Sequence, residues 1–227
     1  MTKQIDFATS HGVVPGRRCA QGVIQLGGAC AFAGAISPNN GLPLTQHVLL
    51  EANVRCVREA KWKGPLPLVY GWKCAIHLDD FSYQVLESHL KLLAYGKGAV
   101  DVDDFPYRGY PIIFREQRFD ARDMTPGEAA QRSTLNAMAL RDERVDVDSS
   151  LWVASRPSHQ FGGEPYLLNP FDAEATCPLC GGDMPVFASV SDESGDPEHP
   201  FFGNAFVQLV YFLCASCRVL TARNLTE

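Results

Sequence analysis

Four cysteines, arranged as two closely spaced pairs, are the residues of this sequence whose types and spacing best fit a chemical role. Cys177 and Cys180 form the first Cys-x-x-Cys pair, and Cys214 and Cys217 form the second. Two residues between paired cysteines let one tight turn present both thiolates to one ion, and zinc prefers four tetrahedral ligands at about 2.3 Å from each sulfur. The pattern predicts that the four cysteines bind one zinc ion. Because they would fill the coordination shell, we expect a structural ion.

The residues around the two pairs predict a zinc ribbon. Gly181 and Gly182 permit the positive φ angles that turn amide groups back toward sulfur atoms. In the second turn Arg218 stands where glycine would be expected. Two interpretations of Arg218 stay open, namely that its charge offsets that of the thiolates or that it faces water. Apolar, strand-like segments flank the turns at residues 184–190, 206–213 and 219–221.

A few other residues are candidates for catalysis. They are Cys30, His77 with Asp79 and Asp80, and the acidic trio Asp101, Asp103 and Asp104. Catalysis needs a nucleophile, a base and an orienting group that converge, and none of these candidates forms a known catalytic signature. We expect the isolated cysteines to be small buried hydrophobic side chains; they are Cys19, Cys30, Cys56 and Cys74. The sequence favours a protein without enzymatic activity, and a hydrolase of unknown substrate is the alternative.

The segments before the cysteines alternate between helical and strand patterns. Apolar residues in the range 45–63 recur every three or four positions, which predicts an amphipathic helix with Thr45 as its N-cap. The segments LVYGWKCAIHL and FSYQVLE lie on either side of Asp79-Asp80 and predict a β-hairpin. Residues 89–98 fit either a third strand or a short helix.

A second helix is predicted to begin at Pro126, since proline suits the first turn of a helix. The charged run at residues 141–148 has little to bury and marks a candidate domain boundary. We expect an α+β N-terminal part over residues 1–145 and a β-rich part with the zinc ribbon over residues 146–227, or one integrated domain. The predicted fold class is α+β, mainly antiparallel β with two or three helices and a C-terminal zinc ribbon.

The composition is that of a compact globular protein, with 46% hydrophobic and 20% charged residues. The net charge of -6 and the scattering of the 20 basic residues disfavour nucleic-acid binding, which needs clustered lysine and arginine. The N-terminal residues lack the apolar core of a secretory signal, so we expect a cytoplasmic protein with no membrane association. Thiols stay reduced in that compartment, which favours metal binding over disulfides.

An acidic segment with two aromatic residues lies between the predicted ribbon strands. Acidic residues beside exposed rings suit the binding of a basic protein. The candidate partner-binding residues are Asp192, Glu193, Asp196, Glu198, Phe201 and Phe202.

The segment SHQFGGEPYLLN followed by CPLCGGDMPVFASV resembles the YwqG-like bacterial domain family in its zinc-ribbon-bearing form. In that family a Gly-Gly-x-Pro turn precedes a Cys-Pro-x-Cys-Gly turn, a methionine and an apolar strand. The matching residues are Gly162, Gly163, Pro165, Cys177, Pro178, Cys180, Gly181 and Met184. The resemblance covers residues 158–217, and Ser189 departs from it because the family often has glutamine there.

The resemblance implies a role in protein binding. Bacterial members are thought of as accessory or immunity-type proteins beside toxin systems. A more distant likeness is to programmed cell death protein two, which joins such a domain to similar cysteine turns and acts as a chaperone of a ribosomal protein. We therefore expect an immunity or inhibitor protein of a bacterial toxin, or else a chaperone-like accessory protein for a basic client.

Overall fold

The computed structural model describes residues 4–71, 81–96, 110–141, 159–191, 197–203 and 208–225. Over these ranges the chain forms thirteen β-strands and two α-helices. In chain order they are β1 (Val13–Arg18), β2 (Ile24–Leu26), β3 (Thr45–Leu50), α1 (Arg55–Glu59), β4 (Leu66–Tyr70), β5 (Phe81–Leu86), β6 (His89–Ala94), β7 (Gln117–Asp123), α2 (Pro126–Leu140), β8 (His159–Phe161), β9 (Ala175–Thr176), β10 (Asp183–Met184), β11 (Val186–Ser191), β12 (Gln208–Cys214) and β13 (Val219–Leu225). A single 3-10 turn at Pro170–Asp172 follows β8.

Eleven of these strands form one sheet in the order β4-β3-β2-β7-β1-β8-β11-β12-β13-β5-β6, and β9 pairs with β10 separately. The paired strands of the large sheet all run antiparallel. The predicted mainly antiparallel β structure with two helices is therefore confirmed. Strands from before and after residue 145 belong to this one sheet, since β8 pairs with β1 and β13 pairs with β5. Most of the charged run 141–148 lies outside the described residues.

The two ends of the sheet meet across the interior. The Tyr83 hydroxyl on β5 donates to the carbonyl of Pro67 on β4 at 2.8 Å. The same hydroxyl accepts from the amide of Val69 at 3.1 Å. Because β4 is one edge of the sheet and β5 lies next to the other, these bonds show that the sheet curls on itself.

Strand β12 is buried on both faces, which explains its uninterrupted apolar sequence. Alternate residues of the strand point to opposite faces of the sheet. One set belongs to the large hydrophobic cluster of the interior, namely Leu209, Tyr211 and Leu213. The other set belongs to a smaller cluster beside the C-terminal cysteines, namely Val210, Phe212 and Cys214. The strand thus carries Cys214 on the face where the smaller cluster lies.

The predicted helix over residues 45–63 is wrong. Thr45–Leu50 is strand β3, in which Thr45 pairs with Tyr70, and only Arg55–Glu59 is helical. Strand β3 lies between β2 and β4 and is buried along almost its whole length. A strand buried on both faces loses the alternation of apolar and polar residues, so its apolar spacing can imitate that of a helix.

The predicted hairpin of LVYGWKCAIHL with FSYQVLE is also wrong where the structure describes it. Residues 68–70 of the first arm lie in β4, near the opposite end of the sheet order from β5, and residues 72–78 lie outside the described residues. Strand β4 pairs with β3, while β5 pairs with β6 and β13. Asp79 and Asp80 lie outside the described residues. Of the two alternatives for residues 89–98, the strand is confirmed over His89–Ala94.

Helix α2 begins at Pro126 as predicted. The Thr125 hydroxyl accepts from the Glu128 amide, and the Glu128 carboxylate accepts from the Thr125 amide, which forms a complete capping box. No helix in the described part of the chain combines the length and apolar character needed to cross a membrane.

Candidate metal centre

The first cysteine pair lies in the turn between the short strands β9 and β10. The Cys177 amide donates to the Gly182 carbonyl at 2.8 Å, and the Gly181 amide donates to the Cys177 carbonyl at 2.9 Å. Gly181 has a φ of 70°, as the sequence predicts, whereas Gly182 does not have a positive φ. The turn closes tightly because a residue without a Cβ occupies the left-handed position.

The second pair lies in the turn between β12 and β13. Arg218 has a φ of 57°, so it occupies the same left-handed region as Gly181 in the first turn. Its amide donates to the Ala215 carbonyl at 3.3 Å. The two turns therefore end in similar backbone conformations although one uses glycine and the other arginine.

The two turns bring all four cysteines together. Their Sγ atoms lie within 4.8 Å of one another, and Cys180 Sγ is 3.8 Å from Cys214 Sγ across the two turns. Four sulfurs held in a tetrahedron around zinc lie about 3.8 Å apart, given a Zn–S distance of about 2.3 Å. Cys177 and Cys214 are buried, whereas Cys180 is exposed. The cluster is thus compatible with a metal ion bound at the surface.

The thiols of the cluster influence one another's protonation. Burial raises the pKa of the Cys177 thiol, and the hydrogen bond with Cys180 raises the pKa of Cys217 to about 12. Burial also acts to raise the pKa of Cys214, but hydrogen bonds, led by that of the Ser216 hydroxyl, lower it to about 7. One thiolate is therefore favoured, and a bound metal would displace the remaining protons. Metal affinity should fall as the pH falls.

Arg218 joins the second turn to the large sheet, which neither interpretation from the sequence anticipated. Its Nε donates to the Val85 carbonyl on β5 at 2.8 Å, and the Val85 amide donates to the Arg218 carbonyl at 2.9 Å. Its guanidinium lies 4.6 Å from the centre of the Trp62 ring. Gln84 adds a bond from its side-chain amide to the Cys217 carbonyl at 2.9 Å. The cysteine cluster is thus anchored on β5.

Of the predicted partner-binding residues, the structure describes Glu198, Phe201 and Phe202. Asp192, Glu193 and Asp196 lie outside the described residues. The Glu198 side chain is 69% exposed and lies 3.3 Å from the Arg115 guanidinium. Phe202 is 46% exposed, but Phe201 is fully buried and so offers no surface to a partner.

Of the residues considered for catalysis, the structure describes Cys30 alone. Cys30 is partly buried, and burial raises the pKa of its thiol, which disfavours the nucleophilic thiolate. His77, Asp79, Asp80, Asp101, Asp103, Asp104 and Cys74 lie outside the described residues. Of the other isolated cysteines, Cys56 is buried as predicted, and Cys19 is partly exposed.

A cluster of histidines was not predicted. His47 on β3, His159 on β8 and His199 surround the ring of Phe201. These residues are far apart in sequence, and no motif joins them. Only the curling of the sheet brings β3 and β8 close enough to share this neighbour.

No family model, curated protein or solved structure matches this chain.

Proposed function

We propose that the four cysteines bind one structural zinc ion that holds the two turns together as a zinc ribbon. The observation that carries this proposal is the approach of four Sγ atoms to within 4.8 Å of one another. Four thiolate ligands suit zinc and leave no coordination position for water or substrate. The ion would stabilise the β9–β10 and β12–β13 turns and perform no reaction. A reducing compartment such as the cytoplasm would keep the thiols available.

Metal analysis of the purified protein tests this proposal. We expect one zinc per chain, and we expect Cys177→Ser to lose the metal. The variant should also unfold at lower urea concentration, because structural zinc contributes on the order of 10 kcal/mol in small domains. Cys19→Ser, which alters a thiol outside the cluster, is the matched control and should keep both zinc and stability. Iron in place of zinc, or full zinc occupancy in Cys177→Ser, would contradict the proposal.

We further propose that the chain is a non-enzymatic protein-binding module, and that its partner is a basic bacterial toxin that it inhibits. The net charge of -6 supports a basic partner, since opposite charges steer association. The resemblance of residues 158–217 to the YwqG-like family supports an immunity role. A chaperone-like role for a basic client uses the same charge and is the second candidate.

Affinity purification from the native cell, followed by mass spectrometry, distinguishes the two roles. A toxin whose activity falls on binding supports inhibition, whereas a ribosomal protein that the chain keeps in solution supports the chaperone role. For either partner, we expect the association rate to fall as salt is added, because ions screen the steering charges. An acidic partner that associates at a rate independent of salt would count against both.

A further inference from the structure

The hairpin of β9 and β10 borders a cavity of about 690 Å³, the β9–β10 cavity. The cavity is lined by residues 173–176 and 183–185, and by Gln4, Asp6 and Arg223. Ligand pockets in proteins have volumes of about 300–1,000 Å³. The β9–β10 cavity is therefore large enough to accept side chains of a partner.

Backbone hydrogen bonds hold the parts of this lining in place. In the hairpin, Thr176 pairs with Asp183. The N-terminal segment is attached to β11, because the Val186 amide donates to the Asp6 carbonyl at 3.0 Å. The same hairpin holds the first cysteine pair in its turn, so the proposed zinc ion would stabilise it further. A lining that is already ordered loses little conformational entropy when a partner binds.

The lining carries three carboxylates, which belong to Asp6, Glu174 and Asp183. In the described part of the chain, the side chains of Asp6 and Asp183 make no hydrogen bond or ion pair. No lysine or arginine stands between Arg156 and Arg218 in the sequence, a stretch that includes the whole hairpin. The hairpin side of the cavity therefore has acidic side chains and no basic ones.

Arg223 is the one basic side chain among the described residues that line the cavity. Its guanidinium donates to the Asp172 carbonyl and lies 5.2 Å from the centre of the Phe212 ring. One positive charge against three negative charges leaves the lining with a net negative charge. Such a lining attracts a cationic ligand.

The three carboxylates do not converge as the ligands of a metal ion do. Among the described residues, only the four cysteines place three or more ligand atoms within 4.8 Å of one another. A Ca²⁺ cage needs several oxygens at about 2.3–2.6 Å from the ion. Carboxylates spread around a cavity instead fit guanidinium or ammonium groups on long side chains, which reach separate acceptors.

Two exposed apolar side chains lie next to the lining in the chain. Phe171 is 53% exposed and stands two residues before Ala173, and Leu179 is 48% exposed in the turn between β9 and β10. An aromatic ring can contact an arginine guanidinium by a cation–π interaction, and a leucine can bury an apolar side chain. These neighbours favour a partner segment that has apolar as well as basic residues.

We propose that the β9–β10 cavity, together with Phe171 and Leu179, binds a segment of a partner protein that carries arginine and apolar side chains. This inference rests on the proposed protein-binding function and assigns a surface to it. The surface differs from the segment 192–202 that the sequence predicts, in which Phe201 is buried.

Binding of fluorescein-labelled hexaarginine to the zinc-loaded full chain, measured by fluorescence anisotropy, tests the acidic lining. We expect the double variant Asp6→Asn/Asp183→Asn to bind about fivefold more weakly, since it loses two exposed charge contacts. The matched control Glu87→Gln/Glu198→Gln removes the same charge at exposed residues outside the lining, and it should bind within about twofold of the wild type. Equal losses in the two variants would overturn the proposal, because they would show attraction by net charge alone.

Nuclear magnetic resonance of the same complex locates the peptide. We expect hexaarginine to shift the backbone amide resonances of Thr176, Leu179 and Asp183 and to leave those of Glu87 and Glu198 unchanged. Shifts confined to the surroundings of Glu198 would overturn the proposed surface, although a basic partner would still be supported.

A second peptide, in which every other arginine is replaced by leucine, tests the apolar side chains. We expect the wild type to bind it more tightly than hexaarginine, and we expect Phe171→Ser and Leu179→Ser to lose this preference. Ile113→Ser changes an equally exposed apolar residue outside the lining and should keep the preference. A preference that persists in both Phe171→Ser and Leu179→Ser would contradict a role for these side chains.

Failure of this surface differs from failure of the proposed function. If neither peptide binds, or if a captured natural partner binds the Asp6→Asn/Asp183→Asn variant as tightly as the wild type, the surface is wrong. The proposed inhibition is decided separately, by whether a captured toxin loses its activity on binding.

Discussion

In the turn between β12 and β13, Arg218 has a structural role that its residue type does not predict. Arg218 adopts a φ of 57°, which costs an ordinary residue about 1 kcal/mol relative to glycine. Its side chain compensates through the bond to the Val85 carbonyl and the contact with Trp62. Compared with glycine, arginine at this position strains the backbone, but its side chain anchors the turn to β5.

Paired substitutions separate these two contributions. Arg218→Ala loses the side-chain contacts and keeps the strain, so the free energy of unfolding should fall by about 1–3 kcal/mol. Arg218→Gly loses the same contacts but relieves the strain, so it should be about 1 kcal/mol more stable than Arg218→Ala. Urea unfolding of the zinc-loaded protein measures both.

Lys61 offers a matched control, because it is exposed and has a φ of 56°. Lys61→Gly should raise the free energy of unfolding by up to about 1 kcal/mol, since it relieves strain with few contacts to lose. If Arg218→Ala proves as stable as Arg218→Gly, the left-handed backbone is not a source of strain in this turn.

At the scale of elements, local signals in the sequence identified helix α2 and strands β4 and β5, but they did not identify which strands pair. Helix α2 begins where Pro126 and the Thr125–Glu128 capping box place it, because those interactions lie within one turn. Strands β4 and β5 contain the expected strand-forming residues, but they do not pair with each other. Strand β4 pairs with β3, and β5 pairs with β13. Pairing depends on which apolar faces the rest of the sheet buries, and that information is not local.

At the scale of the whole molecule, buried histidines link stability to pH. Burial lowers the pKa of His47 to about 3 and that of His159 well below its usual value. The unfolded chain has histidines that titrate near 6.5 and so binds more protons than the folded chain below that pH. The free energy of unfolding should consequently be highest above about pH 6.5 and should decrease as the pH falls toward the pKa values of the folded state.

Urea unfolding across pH 7.5 to 5 measures this decline. Each buried neutral histidine should lower the free energy of unfolding by up to about 1.4 kcal/mol per pH unit below pH 6. His47→Phe replaces an imidazole that already packs between Phe114 and Phe201. The variant should reduce the slope of the free energy of unfolding against pH by the contribution of one histidine. Comparing the variant with the wild type at each pH cancels the effect of acid on the cysteines. Equal slopes in the two proteins would show that His47 is not neutral in the fold.

The sequence by itself determined the cysteine cluster, because each Cys-x-x-Cys pair is made within one turn and two such pairs suffice for four ligands. It also determined the start of α2 and the antiparallel β character of the chain. Only the tertiary structure decided the partners of β3, β4 and β5, the burial of Phe201 and the anchoring of Arg218 on Val85. The same holds for the three histidines, which meet because the sheet curls. These features depend on contacts between residues far apart in the chain, which local periodicity and spacing do not predict.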